Sequence, residues 1–127
     1  MKKVINTDLA PKAIGPYSQG IIIGDLAFLS GQIPVDPATG EFATGEDPVV
    51  AQTNQSLKNV KSILESQGMS LDNVIKTTVF IDNMDDFAKV NEVYAQYFKE
   101  PYPARSCVEV GKLPKGALVE IEVIARK

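Results

Sequence analysis

The hydrophobic and polar positions along the chain predict six strands and two helices. Short apolar or β-branched runs, several with alternating polar positions, predict strands, and apolar positions three and four residues apart predict amphipathic helices. The predicted helices begin at Asp47-Pro48 and at Asp82-Asn83, and the first is expected to end at Gly68. The predicted strands cover residues 2–6, 21–23, 26–30, 75–81, 103–110 and 118–125.

The order of these elements, β-ββ-α-β-α-β-β, predicts an α+β fold. Strand–helix–strand units favour parallel pairing, and hairpins add antiparallel pairs. Gly24-Asp25 predicts a tight hairpin turn, and Gly31 either ends the following run or bulges it. We therefore expect a six-stranded mixed sheet with two helices packed on one face. Because aliphatic residues occur on both strand faces, we expect another subunit to cover the face opposite the helices.

The second predicted helix carries one polar residue on its inward stripe. Phe87, Val90, Tyr94 and Phe98 follow helical spacing, and Asn91 falls on the same stripe. A buried amide must form a hydrogen bond, so we expect Asn91 to have a partner, and a backbone group is the simplest candidate.

Composition narrows the class of protein. The 127 residues are enough for one domain, spanning 1–127, and their 44% apolar and 23% charged content is that of an ordinary globular protein. A net charge of −3 argues against non-specific nucleic-acid binding. No apolar run has the length of a membrane span. The single cysteine precludes an internal disulfide and agrees with a cytoplasmic location.

The chain contains no histidine. It therefore lacks the commonest general base and the commonest metal ligand, which makes a zinc, copper or haem site and any Ser-His or Cys-His hydrolase improbable. If the protein is an enzyme, its proton transfers are expected to use a carboxylate, a tyrosine, a lysine or ordered water.

The predicted strand at 103–110 contains Arg105, the cation that bears most directly on function. Its alternation puts Arg105, Cys107 and Glu109 on one face. A half-buried guanidinium needs an anionic partner, either a carboxylate of the chain (Glu109, Glu120 or Glu122) or that of a substrate. The residues alone leave these two possibilities equally open. Cys107 is expected to be a small buried residue, since no histidine can activate its thiol.

Three further positions are candidates for binding or catalysis. Glu120 lies in the last strand, where the pattern favours a solvent-facing role, but two apolar neighbours share its face and also allow a general base with a raised pKa. Tyr17 is either a loop aromatic or the lid of a pocket. Ser30-Gly31 either ends a strand or offers a hydroxyl and an unobstructed N–H to an oxygen ligand.

Five segments resemble, in the same order, the Rid family (formerly YjgF) of reactive intermediate deaminases, and in particular its RidA-type enamine/imine deaminases. The resemblance covers essentially the whole chain. Several matching motifs of this length are far more specific than any single short pattern. The segments are Ile14–Gly20, Ser30–Pro34, Lys76–Phe80, Pro103–Val110 and Glu120–Ala125.

The resemblance implies a chorismate-mutase-like fold and a homotrimer with sites between subunits. It also implies cofactor-free hydrolysis of 2-enamino and 2-imino acids, such as 2-aminoacrylate, to 2-oxo acids and ammonia, which protects pyridoxal-phosphate enzymes. Neither nucleic acid nor membrane is expected as a partner. Two alternatives stay open: an endoribonuclease or translation inhibitor, an activity attributed to some relatives, and a module that binds 2-oxo acids without turnover.

The resemblance also assigns expected roles to residues. Arg105 would bind the substrate carboxylate, and Glu120 would position the attacking water. The segment 99–103, before Arg105, is shorter than in many members, which would reshape the rim of the pocket. The remaining pocket residues would be Tyr17, Ser30, Gly31, Asn91 and Cys107.

Overall fold

A computed structural model of the protein describes all residues from 1 to 127 and contains the expected six strands and two α-helices. The helices are α1, Pro48–Glu65, and α2, Phe87–Tyr97. The strands are β1, Lys3–Ile5; β2, Gly20–Ile23; β3, Leu26–Leu29; β4, Val74–Ile81; β5, Ala104–Glu109; and β6, Val119–Arg126.

The six strands form one mixed sheet in the order β1-β2-β3-β6-β4-β5. Only β4 and β5 pair in parallel, and the other four pairs are antiparallel. Both helices pack on the same face, so the predicted α+β architecture is confirmed. The last strand of the chain, β6, lies between β3 and β4 near the centre of the sheet.

The core lies between the helices and the helix-side face of the sheet. Alternate residues of β6 point into it and are almost completely buried. They meet the apolar stripe of α1, whose buried residues are spaced three and four apart. The β6 residues are Val119, Ile121, Val123 and Ala125, and the α1 residues include Leu57, Val60, Ile63 and Leu64.

The other face of the sheet, here called the open face, has no helix over it. Its exposed apolar side chains keep between 42% and 57% of their surface accessible. An apolar surface of this kind is typical of an interaction site. The expectation that another subunit covers the open face is consistent with this surface and stays a prediction. These side chains are Val4, Ile23, Phe28 and Val108.

Helix α1 begins where the sequence indicates but ends earlier. The Asp47 carboxylate accepts the N–H of Val49 at 3.1 Å and forms an ion pair with Lys89 of α2 at 2.9 Å. The last helical residue is Glu65, three residues before the predicted end. Gly68 still ends the helix as a C-terminal glycine: its φ is 73°, its N–H donates to the Glu65 carbonyl at 3.0 Å, and the Met69 N–H donates to the Leu64 carbonyl at 3.0 Å.

The predicted start of the second helix also needs correction. The Asn83 side chain caps a short 3₁₀ turn, Met84–Asp86, by accepting the N–H of Asp85 at 2.9 Å. The α-helix begins only at Phe87. The capping signal was identified correctly, but the element that it caps is shorter and tighter than an α-helix.

A β-bulge follows β3 at Ser30-Gly31. Phe28 pairs with Ile124, and the next bridge joins Gln32 to Ile121. The step from Phe28 to Gln32 is four residues, whereas the step from Ile124 to Ile121 is three, so the β3 side has one extra residue. The sequence-based alternative of a bulge at Gly31 is confirmed, and bulges of this kind re-aim side chains.

None of the helices combines the length and the apolar character needed to cross a membrane.

We predict that one buried hydrogen bond makes a measurable contribution to stability. The hydroxyls of Thr77 and Tyr94 lie 2.9 Å apart, with both residues at most 5% exposed. Tyr94→Phe should lower the free energy of unfolding by about 1–3 kcal/mol, because it leaves the Thr77 hydroxyl buried without a partner. The measurement is urea unfolding.

The control is the double variant Tyr94→Phe/Thr77→Val, which removes both polar groups. It should be more stable than Tyr94→Phe alone, since no unpaired hydroxyl remains. A double variant of equal or lower stability would contradict this interpretation.

Candidate active site

The structure divides the predicted site residues into two groups. One group lines a cleft of about 720 Å³ that opens beside the bulge, here called the Glu120 cleft, and consists of Tyr17, Ser30, Gly31 and Glu120. The other group lies between α2 and β5, here called the Arg105 cluster, and consists of Arg105, Asn91 and Cys107.

Gly31 is small because Glu120 lies directly against it. A Cβ placed on Gly31 would collide with the Glu120 carboxylate, meeting its Cδ at 2.7 Å and its Cγ at 3.0 Å. The Gly31 N–H donates no hydrogen bond within the chain. A glycine here thus makes room for the carboxylate and leaves a backbone donor free for a ligand.

The Glu120 carboxylate is half-buried, and neither a hydrogen bond nor an ion pair engages it. Burial raises its pKa, and the like charge of Glu122 on the same face raises it further. The carboxylate therefore holds a proton more readily than an ordinary glutamate. This is the property required of a general base that works near neutral pH.

Ser30 and Tyr17 occupy different parts of the cleft wall. The Ser30 hydroxyl donates to the carbonyl of Ser18 at 2.5 Å, so only its acceptor capacity remains. The Ser30 hydroxyl proton is therefore already used inside the chain, and the free donor in this segment is the Gly31 N–H. The Tyr17 side chain is 54% exposed at the mouth of the cleft.

Arg105 is held by neutral partners instead of by a carboxylate. Its Nη1 donates to Asn91 Oδ1 at 2.7 Å, and its guanidinium lies 4.7 Å from the Tyr94 ring centre and 5.5 Å from that of Phe87. None of the three ion pairs in the chain includes Arg105. Glu109, its neighbour on the strand face, instead accepts the N–H of Met84 at 2.8 Å. The intramolecular ion pair is thus absent, and the positive charge is available to an external anion.

The burial expected for Arg105 and Asn91 needs correction, because both residues are exposed. The reason is that β5 is the edge strand, so the side of α2 facing it lies at the margin of the sheet. The partner of Asn91 is the Arg105 guanidinium, where a backbone group was expected. Asn91 thus orients the guanidinium and leaves its charge uncompensated.

Cys107 lies two residues beyond Arg105 on the same face of β5 and is half-buried. Burial raises the pKa of its thiol, and the positive charge of Arg105 offsets this only in part. The thiol is therefore protonated near neutral pH, which suits a residue that lines a pocket without reacting. Because β5 pairs with β4 alone, the strand also presents unpaired backbone groups around Cys107.

The register of the sheet separates the two groups. Arg105 stands opposite Thr77, which stands opposite the buried Val123, so Arg105 points to the helix side. Glu120 stands opposite Phe80 and points to the open face. Within a single chain the guanidinium and the carboxylate therefore lie on opposite faces and cannot contact the same small molecule.

Several residues of the Glu120 cleft were not identified from the sequence. They lie in loops, where no periodicity marks the direction of a side chain. Lys115 sits in a tight turn with a positive φ of 57°, and its one sequence signal is the turn-forming Pro114 and Gly116 around it. Gln19 lies inside the Ile14–Gly20 segment, but no local pattern indicated that its side chain would be buried. The residues are Asp8, Lys12, Gln19 and Lys115.

Comparisons with known proteins agree with one another. A family profile described as Endoribonuclease L-PSP matches residues 7–127. The chain is 58% identical to a "RutC family protein" of Pyrococcus horikoshii over 127 residues, which is all of this chain and 99% of that protein. It is 53% identical to the "2-iminobutanoate/2-iminopropanoate deaminase" of Salmonella typhimurium over 128 residues, covering 98% of each chain. The crystal structure of E. coli TdcF with bound serine superposes with a TM-score of 0.91 at 51% identity, again covering 98% of each chain.

We predict that Glu120 titrates above the range of an ordinary glutamate, and that Glu122→Gln lowers its pKa. The substitution removes the like charge but leaves the burial, so the pKa should fall only part of the way. The measurement is carboxyl-carbon NMR of the labelled protein against pH. An unchanged titration of Glu120 in the variant would show that the two carboxylates do not interact.

We predict that Gly31→Ala displaces the Glu120 carboxylate without unfolding the protein. The new methyl meets the end of a flexible side chain, which can rotate away, so the free energy of unfolding should fall by no more than about 1 kcal/mol. The pKa of Glu120 should move toward its ordinary value as the carboxylate leaves its pocket. Thermal unfolding and the same NMR titration measure both effects. The matched control is Gly111→Ala, where an added Cβ meets no atom within 4 Å, and its Glu120 pKa should not change.

Proposed function

The chain belongs to the endoribonuclease L-PSP family, also called the Rid family, and on that premise we propose that it is an enamine/imine deaminase. Its substrates would be 2-enamino and 2-imino acids, such as 2-aminoacrylate and its tautomer 2-iminopropanoate. The products would be 2-oxo acids and ammonia. The observation that carries the proposal is the half-buried Glu120 carboxylate, with its raised pKa, beside the free N–H of Gly31.

Glu120 would act as the proton-transfer group. An imine carbon is already electrophilic, so water needs only a base that accepts its proton as it adds. The protonated carboxyl then gives that proton to the nitrogen, which yields a carbinolamine. In the second half, the carboxylate accepts the proton of the carbinolamine hydroxyl as the C=O bond forms, and that proton passes to the nitrogen as the C–N bond breaks and ammonia leaves. A pKa above that of an ordinary glutamate suits both halves of this cycle, and such a role typically contributes about 10²–10⁴-fold to the rate.

Arg105 would bind the substrate carboxylate. Its guanidinium is oriented by Asn91 and by the Tyr94 ring, and it has no carboxylate partner in the chain. A planar guanidinium can bind a carboxylate through two parallel hydrogen bonds, which fixes the orientation of the substrate. The serine bound to E. coli TdcF is likewise a small molecule with a carboxylate.

We further propose that the working site lies between two copies of the chain in a homotrimer. Since Arg105 and Glu120 lie on opposite faces of the sheet, one substrate can reach both only if they come from different copies. The exposed apolar side chains of the open face supply a surface on which copies could associate. We place the enzyme in the cytoplasm, where it would protect pyridoxal-phosphate enzymes from the imines that dehydratases release.

The family description favours an endoribonuclease as a second candidate. The net charge of −3 and the absence of histidine weigh against it, since RNA binding needs a basic surface. Purified protein that cleaves RNA at defined positions, and loses this ability with Arg105→Ala, would support it. Tight binding of 2-oxobutanoate without deamination would instead support a module that senses 2-oxo acids.

We predict that the purified protein removes imines released by a threonine or serine dehydratase. In a coupled assay with semicarbazide as the trapping agent, wild-type protein should lower the yield of trapped imine. Arg105→Ala should abolish this effect, and Glu120→Gln should lower kcat about 10²-fold or more with a smaller change in KM. The control is Lys127→Ala at the exposed C-terminus. Full activity of Arg105→Ala would reject the assigned role.

A mixing experiment tests the shared site. Arg105→Ala and Glu120→Gln, each inactive alone, should regain activity when unfolded together and refolded as one mixture. If each site takes one residue from each of two copies, random mixing restores roughly a quarter of the wild-type sites. No recovery beyond the sum of the two variants would place both residues in the same copy's site.

A further inference from the structure

Gln19 is a buried glutamine whose side chain holds the neighbouring loop by hydrogen bonds. The residue is 2% exposed. Its Oε1 accepts the N–H of Thr7 at 2.7 Å, and its Nε2 donates to the carbonyls of Thr7 at 3.0 Å and Pro11 at 2.8 Å, with a longer contact to Ala10 at 3.4 Å. One amide therefore holds both ends of residues 7–11.

The loop 7–12, here called the loop wall, forms one side of the Glu120 cleft through Asp8, Pro11 and Lys12. Its residues lie in no strand or helix and form no backbone–backbone hydrogen bond. Inside the loop, the N–H of Leu9 donates to the Thr7 hydroxyl at 3.2 Å, which is a local contact. Ala10 also anchors the loop, since it is 1% exposed and packs in the core. Gln19 supplies the hydrogen bonds that tie the loop wall to the strand segment beside the cleft.

The backbone of the same segment holds the opposite side of the cleft. The carbonyl of Gln19 accepts the N–H of Ser30 at 2.9 Å, and the carbonyl of Ser18 accepts the Ser30 hydroxyl at 2.5 Å. Ser30 leads directly into Gly31 and its contact with Glu120. Gln19 therefore links the two sides of the cleft: its side chain holds the loop wall, and its backbone holds the segment that contacts Glu120.

We propose that Gln19 is a positioning residue that sets the width of the Glu120 cleft and so determines which substrate side chains fit. This inference rests on the deaminase function proposed above. The carboxylate and imine atoms are common to all 2-imino acids and are assigned to Arg105, Glu120 and the Gly31 N–H. The side chain of the substrate, which differs between imino acids, would contact the rest of the cleft, including the loop wall.

The test compares two substrates that differ in side-chain length. An L-amino-acid oxidase generates the imino acids of alanine and leucine in situ, and semicarbazide trapping follows their loss. Gln19→Leu should raise KM for the leucine-derived imine about tenfold more than for the alanine-derived imine. The reason is that a displaced loop wall loses its contact with the longer side chain of the leucine-derived substrate. The kcat for the alanine-derived imine, per folded site, should stay within about twofold.

The matched control is Gln52→Leu. Gln52 is also a buried glutamine, 8% exposed, and its Oε1 accepts the N–H of Leu118 at 2.8 Å, but it lies outside the cleft. It should lose stability while the ratio of the two KM values stays at the wild-type level. A merely structural role for Gln19 would lower the activity on both substrates equally, as in this control, and would overturn the proposal.

If Gln19→Leu does not fold, Gln19→Glu carries the test. The glutamate keeps the size of the side chain and the acceptor for the Thr7 N–H but replaces the donor that faces the carbonyls of Thr7, Ala10 and Pro11. It should change the ratio of KM values in the same direction, with faster hydrogen exchange in the segment 7–12. An unchanged ratio in Gln19→Glu overturns the proposal. Wild-type protein that is inactive on both imines would instead overturn the deaminase function itself.

Discussion

The alternation of side chains along β6 is the constraint on which the fold and the site both depend. Because β6 lies between β3 and β4, its four helix-side residues supply much of the core. These are Val119, Ile121, Val123 and Ala125. The same alternation points Glu120 to the open face, against Gly31 of the bulge. A one-residue shift in the register would bury Glu120 in the core and expose the valines, so packing of the core fixes the place of the carboxylate.

The second consequence of the sheet is the separation of charge. Glu120 is a carboxylate without a cation, and Arg105 is a guanidinium without a carboxylate, each on its own face. Burial without a cation is costly for the Glu120 carboxylate, whereas Arg105 is exposed and keeps its charge at little cost. The proposal of a site shared between copies gives Arg105 an anion to bind and Glu120 a water to deprotonate, and it also gives the exposed apolar residues of the open face a partner.

Much of the fold could be predicted from local signals, but the orientation of the site residues could not. Period-two alternation identified β6, Asp47-Pro48 located the start of α1, and Gly31 indicated the bulge. These signals act over a few residues. Sheet order and register depend on contacts between distant segments, so the opposite directions of Arg105 and Glu120 had no local signal. Asn91 was expected to be buried because helical spacing cannot indicate that α2 lies at an edge strand.

A crystal structure of the protein with bound 2-oxobutanoate, a product of the proposed reaction, tests the shared site most directly. We expect the carboxylate of the ligand to contact Arg105 of one copy, while Glu120 of a neighbouring copy lies within hydrogen-bond distance of the 2-oxo oxygen or of a water beside it. A ligand bound to Arg105 with no Glu120 from any copy near the 2-oxo carbon would contradict both the shared site and the role of Glu120.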